Sequence, residues 1–436
     1  MGRLMAGAAT VAGAQVVGTP VASRARARST ARGVLRGGSF VLAATLLWHL
    51  SNFASNAVGA RALGAGGYGQ LAAVVALLYV VSPLLYALQA TASASAARLL
   101  SAGRPGDIRP QMARQAWSAA AWTALLVGLA GLASGLIAHL LRLSSPLPVL
   151  LLLASMPLAA AVNVQRGALQ GIGSFGRYAT STAAEAISKI ALVAAVLLLW
   201  PNVNGAVLAT AAALGCAAIA HTRLLRVLPA AAPSGGPLVG AKRDGALTLG
   251  CLVLLAAMLS ADVIAARHGM SSHTAGVYAA ISLAGKIVFF ATSGLTWVLF
   301  PMLSARDERG EDGRKLLLGG LAGVALVAFV VAGVEWLAPS VVIVPLTGHG
   351  FEAAAPWLGP AACAFAPYAL TYVLGMGLAA RRSRAAVLIL AAAAAGQIGA
   401  LVLVSPTVGH LLAVNAVAFT AAAVGLAIVC LRRGAR

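Results

Sequence analysis

Apolar residues run in twelve long blocks along this 436-residue chain, near 38–60, 69–96, 113–141, 147–165, 178–200, 204–225, 245–266, 275–303, 316–338, 356–380, 385–404 and 410–431. A block of about 20 residues is long enough for a helix to cross a hydrocarbon core about 30 Å thick. Backbone that crosses lipid must bond within its own segment, so the blocks predict helices. The expected fold is an all-α polytopic membrane protein with twelve transmembrane helices. The longest connection on the basic side, around 226–244, holds Pro229, Pro233, Pro237 and two adjacent glycines. It separates six spans from six, predicting six-helix bundles at 38–227 and 245–432 joined by a cytoplasmic linker at 228–244. Span 2 opens with Gly69-Gln70-Leu71-Ala72-Ala73 and span 8 with Gly276-Val277-Tyr278-Ala279-Ala280, 207 residues later. Six helices keep their orientation on repetition, so the halves form a parallel repeat about a pseudo-two-fold axis along the membrane normal. Such repeats place a substrate site between the halves near the midplane.

Composition removes the soluble alternatives. The chain is 60% hydrophobic and 9% charged, against roughly 25% charged for soluble domains. All but five of the 31 Lys+Arg lie in the two tails and in alternate gaps. Cytoplasmic loops carry this excess, which sets both termini inside. The net charge of +21 is split among short inner loops, where its partner is anionic lipid headgroups rather than nucleic acid. Residues 1–37 contain six arginines and no acid. Their Gly/Ala stretch is too weakly apolar for a secretory signal, so a basic, disordered cytoplasmic tail is expected, with a second short tail at 433–436. The exceptions to the charge pattern are Arg61, Arg142 and Arg267 in outer gaps, and Lys189 and Lys286 inside spans 5 and 8.

Polar residues inside spans are costly and normally face the bundle interior or a water-filled cavity. Several fall on single helical faces. His49, Asn52 and Asn56 share one side of span 1, and Tyr79, Ser82, Tyr86, Gln89 and Ser93 follow a 3-4-3-4 spacing in span 2. Ser181, Glu185, Ser188 and Lys189 share a face of span 5; Tyr278, Ser282, Lys286 and Ser293 share one in span 8. Helix–helix hydrogen bonding and cavity lining both account for such stripes. Lys189 and Lys286 each lie roughly 16 Å into their spans, at 1.5 Å per residue. A buried ammonium costs about 2.5–3.5 kcal/mol on insertion scales. Lys189 has Glu185 one turn away; Lys286 has no acid in its own span and is a candidate anion-binding group, a structural partner of another helix being the alternative. Asp262, near the outer end of span 7, is either an interfacial partner of Arg267 or a cation-coupling carboxylate. His49 is either a satisfied polar histidine or a proton site. Glu335, beside Trp336 at the outer end of span 9, reads as interfacial.

No catalytic constellation is present, and no enzyme is expected. There is no Walker-type glycine loop, no HExxH and no cysteine–histidine cluster, and nothing calls for a cofactor. The four cysteines (Cys216, Cys251, Cys363, Cys430) all fall inside apolar blocks as small core or lipid-facing residues.

Four places carry a family resemblance. They are Ala60-Arg61-Ala62-Leu63-Gly64 with Gly67-Tyr68-Gly69; Leu169-Gln170-Gly171-Ile172-Gly173 with Phe175; Asp262, then Ala275 to Ala280, then Phe300-Pro301 with Ser304; and Gly350-Phe351-Glu352. In their order and spacing, over about 38–432, the chain resembles the polysaccharide or oligosaccharide flippases (Wzx-like) of the multidrug/oligosaccharidyl-lipid/polysaccharide transporter superfamily. The resemblance implies two six-helix bundles around a V-shaped cavity. It also implies alternating access that carries a polyprenyl-diphosphate-linked glycan to the outer leaflet, coupled to an H+ or Na+ gradient. Its implied setting is a bacterial cytoplasmic membrane, beside glycosyltransferases and polymerases of the same pathway. Lys189 and Lys286 would neutralise the diphosphate, with Glu185, Asn52, Asn56, Tyr79, Tyr86, Gln89 and Tyr278 lining the cavity and Asp262 or His49 coupling the cation. The competing readings are a drug/cation antiporter on the same fold, for which cavity acids are expected, and a non-transporting scaffold for envelope synthesis.

Overall fold

The computed structural model describes residues 20–225, 244–293, 314–381 and 383–433. The apolar stretch Ala43–Ser101 is 59 residues long. As one straight helix it would reach about 88 Å, roughly three hydrocarbon cores. Gly64, at φ 62 and ψ −179, breaks the helix Pro20–Ser101 into two arms, spans 1 and 2. Only glycine takes this backbone geometry without strain. Span 3 is Ile108–Leu132, span 4 Leu147–Gly171, span 5 Phe175–Leu199 and span 6 Val203–Leu225. Span 7 is Asp244–Gly269, and span 8 is Ser272–Gly285 continued over 287–293. Span 9 is Arg314–Leu337, span 10 Leu358–Ala380, span 11 Arg384–Leu403 and span 12 Val408–Arg433. Eleven apolar stretches long enough to cross a membrane thus provide twelve spans once the first is divided. The chain is an all-helical, multi-pass membrane protein of the expected span number.

Two details differ from the sequence reading. Residues 20–37, expected to belong to a disordered tail, are helical. Arg166, assigned from sequence to an inner loop, lies inside span 4, which runs on to Gly171. The linker as far as residue 243, the motif Phe300-Pro301 with Ser304, and the last three residues lie outside the described residues.

Spans 1 and 2 pack against spans 4 and 5, span 3 against span 4, and spans 4 and 5 against span 6. In the second half, span 10 packs against spans 9, 12 and 8, and span 11 against spans 7 and 12. Each half has its own cluster of buried apolar side chains, the second reaching across only to Ala60, Ala65, Tyr68 and Ala76. Large apolar side chains such as Leu132, Leu199, Leu337 and Leu403 stand exposed at span ends. Short helices, Ser134–Leu140 and Pro339–Thr347, follow spans 3 and 9 at the outer side, corresponding elements of the two halves.

Small residues set the closest helix contacts. Gly167 and Gly171 lie four apart on span 4, and a Cβ at either would stand 2.1 Å from Gln89 O or 2.2 Å from Ser93 O. Spans 2 and 4 therefore touch backbone to backbone, the small-xxx-small arrangement of packed membrane helices. Gly167→Val should lower the thermal unfolding temperature in detergent, by an overpacking cost of about 1–3 kcal/mol. Gly128→Val, at a position with nothing within 4 Å, should leave it unchanged.

Candidate functional site

The halves meet along spans 1 and 2 on one side and spans 7 and 8 on the other. At the outer end this seam is tight. A Cβ on Gly69 would lie 3.0 Å from Gly276 N, and one on Gly276 1.7 Å from Ala65 O. Gly69 and Gly276 are the residues that open the matching segments of spans 2 and 8, and they meet each other across the seam. Arg61 donates to Val344 O at 3.1 Å and Pro345 O at 2.5 Å in the opposite half. Arg267 donates to Leu141 O at 2.9 Å and Arg142 O at 2.5 Å. Arg142 donates to Met270 O at 3.3 Å.

Beneath the seam lies a cavity of about 410 Å³. It descends to Gln170 and Tyr178, beside the inner turn between spans 4 and 5. Most of its wall belongs to the first half; spans 7, 8 and 10 of the second half add Leu252, Ala256, Leu259, Phe289, Phe290, Ser293, Tyr368 and Tyr372. The site expected between the halves is thus mainly a first-half cavity with an aromatic second-half wall. Phe289 stacks edge-on with Tyr368 and Tyr372 at centroid distances of 5.1 and 5.0 Å, and Phe290 packs against His49 and Phe53.

The polar stripes of spans 1 and 2 mostly face one space. His49, Asn52, Asn56, Tyr79, Ser82, Tyr86 and Gln89 all line the cavity. Ser93 does not; its carbonyl is the one that Gly171 approaches. From span 5, Glu185 and Lys189 line it and Ser181 and Ser188 do not. His49 Nε2 lies 3.3 Å from Ser293 Oγ, and its Nδ1 has no hydrogen-bond partner among the described residues.

The charges pair differently from the sequence reading. Glu185 serves Arg166, at 2.5 Å, rather than Lys189, and also accepts from Trp48 Nε1 at 3.4 Å. Lys189, 8% exposed, donates to Asn52 Oδ1. No carboxylate among the described residues lies within ion-pair distance of it. The cavity thus holds one neutralised pair and one ammonium met only by an amide oxygen.

Lys286 is not the unpaired cation that its own span suggested. Its Nζ lies 3.3 Å from Asp262 Oδ1 and 5.3 Å from the Phe365 ring centroid. Asp262 is fully buried and also accepts from Tyr278 Oη at 3.0 Å and Ser282 Oγ at 2.7 Å. Arg267 does not pair with Asp262; it donates to Leu141 O, Arg142 O and, at 2.9 Å, Ser272 Oγ. Tyr278 and Asp262 line no part of the main cavity; Lys286 and Ser282 line a separate void of about 40 Å³ with Asn56, Tyr68 and Tyr79. Glu335 is buried at 1% exposure rather than interfacial.

Sequence reasoning missed Arg166, Trp48, Tyr178, Tyr368 and Tyr372 in the cavity wall. A signal for the first existed: Asn163, Arg166 and Gln170 repeat the 3-4 spacing seen in span 2, but the span had been ended at 165.

With this geometry in hand, comparison with solved structures is informative. The chain superposes on the inward-facing conformation of a multidrug resistance MATE family transporter of the MOP superfamily with a TM-score of 0.71, at 14% identity, covering 91% of this chain and 98% of that one. The outward-facing conformation of a MATE family transporter fits with a TM-score of 0.66, at 14% identity, over 92% and 96%. A MOP superfamily transporter from Pyrococcus furiosus, whose binding pocket is described as of reverse polarity, suggesting a different function, fits with the same TM-score of 0.66 at 14% identity, over 92% and 96%. The chain therefore has the twelve-helix fold seen in these transporters. No protein-family model and no curated protein matches the sequence.

The Asp262–Lys286 pair has a measurable consequence. Breaking a buried pair from one side strands a charge and costs about 3–5 kcal/mol, whereas replacing both partners by apolar groups is often neutral. Asp262→Leu should lower the unfolding temperature in detergent strongly, and Asp262→Leu/Lys286→Met should recover most of the loss.

Proposed function

We propose that this protein is an alternating-access transporter that moves small amphipathic solutes, neutral or singly anionic, out of the cell. The observation that supports this most directly is the one-sided cavity: an aromatic-walled space sealed from the outside by a seam of glycine contacts and arginine–carbonyl bonds. A volume of about 410 Å³ falls within the roughly 300–1,000 Å³ of sites for drug-sized ligands. Trp48, Tyr79, Tyr86, Tyr178, Phe289, Phe290, Tyr368 and Tyr372 offer flat apolar faces, and Lys189 offers one charge. That single cation argues against a dedicated site for cationic cargo.

The lipid-linked oligosaccharide reading has one observation in its favour, the presence of Arg166 and Lys189 in one cavity. Glu185 neutralises the first of these, leaving one cation for a diphosphate. The smaller cargo therefore suits the site better. Of the two coupling candidates only His49 lines the cavity; the charge of Asp262 is already met by Lys286.

Reconstituted into liposomes, the protein should transport fluorescent amphiphiles, a monoanionic probe better than its cationic counterpart. Lys189→Ala should cut anionic-probe transport about tenfold, equivalent to about 1.4 kcal/mol, and Lys189→Glu should invert the preference. Absence of transport of every amphiphile class, with movement of a lipid-linked glycan instead, would overturn this reading. A second test addresses the motion. The Cβ position of Gly66 lies 4.0 Å from Ser272 Cβ, within the 3.5–4.5 Å range for a disulfide. Gly66→Cys/Ser272→Cys should lose transport on oxidation and regain it on reduction.

A further inference from the structure

The three outer arginines break the charge pattern of the chain, and all three bridge the two halves. Arg61 ends span 1 and Arg267 ends span 7, 206 residues apart, so they are counterparts in the repeat to within one residue. Their acceptors correspond as well. Arg61 bonds carbonyls in the last turn of the short helix Pro339–Thr347, and Arg267 bonds those just past the end of Ser134–Leu140. Each is a helix C-terminus, where carbonyls carry partial negative charge; Val344 O also accepts from Gly348 N at 2.9 Å, so Arg61 is its second donor. His268 Nδ1 adds a third contact, 2.8 Å from Leu140 O. Arg142 is, among the described residues, the one non-glycine at positive φ, 46°. A side chain rarely adopts this geometry, and it costs free energy that surrounding contacts must offset. Here its carbonyl accepts from Arg267 while its own guanidinium reaches Met270 O.

We propose that Arg61 and Arg267 form a two-part latch, duplicated by the internal repeat, that holds the outer gate shut and sets how often it opens. The proposal rests on the alternating-access reading above. The acceptor chemistry suits a gate. A guanidinium released at the outer end of the seam exchanges its two hydrogen bonds to neutral carbonyls for bonds to water and strands no opposite charge in lipid. A carboxylate partner such as Asp262 would be left buried and unpaired if its bond broke. The two bonds arise from opposite halves and cross the same seam, so opening breaks both together. Gly69 and Gly276 supply the flat contact against which the latch draws the halves.

The test is a distance measurement by pulsed electron resonance in liposomes. Spin labels are placed at Pro201→Cys and Ser405→Cys, exposed positions in outer gaps of opposite halves, with the four native cysteines replaced by alanine. In the otherwise unchanged protein the short-distance population should dominate. Arg61→Ala/Arg267→Ala should shift the distribution to longer distances by at least tenfold in the ratio of the two populations. Arg61→Ala alone should shift it the same way by less; Arg61 is exposed, so this variant keeps the test open if loss of the buried Arg267 prevents folding. Gly276→Ala, which wedges the seam without touching either arginine, should also favour the longer distance. Unchanged distances in the arginine variants would overturn the latch. Transport is read separately: distances that shift as expected in a protein that moves no solute would remove the transport reading and leave the latch standing.

Discussion

A bilayer offers a charged side chain no hydrogen-bond partner, so each one inside it must find its partner within the protein or line a wet space. The remaining architecture answers to that requirement. Asp262 holds Lys286 with help from Tyr278 and Ser282, which ties span 7 to span 8 inside the second half. Glu185 holds Arg166, which ties span 5 to span 4 inside the first. Lys189 is left to Asn52 and the cavity. The outer arginines meet the same requirement by a different route, bonding carbonyls at the ends of short helices.

This division explains why two lysines so similar in sequence have different surroundings. Both lie near the middle of a span, on a stripe with serines. Lys286 faces a neighbouring helix of its own bundle, where an acid is available and the space is packed. Lys189 faces spans 1 and 2, where the bundle is open and its neighbour is an amide. A charge paired within one bundle can move with that bundle as a unit. A charge facing the open space can instead act on whatever enters it.

The architecture was legible in the sequence because the bilayer simplifies the problem: block length sets span number, and basic loops set orientation. The stripes on spans 1 and 2 were legible for the same reason, since a polar face in an apolar helix has few places to go. Pairing was less legible. Asp262 has Arg267 five residues away and Lys286 twenty-four residues away, and proximity along the chain favours the wrong partner; the outer end of span 7 turns Arg267 toward the carbonyls at 141 and 142. Lys189 lies four residues on from Glu185, but Glu185 bonds Trp48 of span 1 and Arg166 of span 4 instead, partners that spacing within span 5 does not reveal. Arg166 was missed because hydropathy ends a span at its first charge, whereas the helix continues to Gly171.

The meeting of Gly69 and Gly276 has a consequence for the origin of the chain. A contact between repeat-related residues is the contact that two identical copies would make across their own symmetry axis, where a patch must be complementary to itself. In such a pair, one substitution would act twice at the same point. Tandem joining separates those two occurrences, and the surroundings here are already unequal. A side chain at 276 meets a backbone oxygen at 1.7 Å, whereas one at 69 meets nothing nearer than 3.0 Å. Both positions thus meet backbone across the contact and have room only for glycine, 276 more tightly than 69, in a molecule whose first half has also taken most of the cavity.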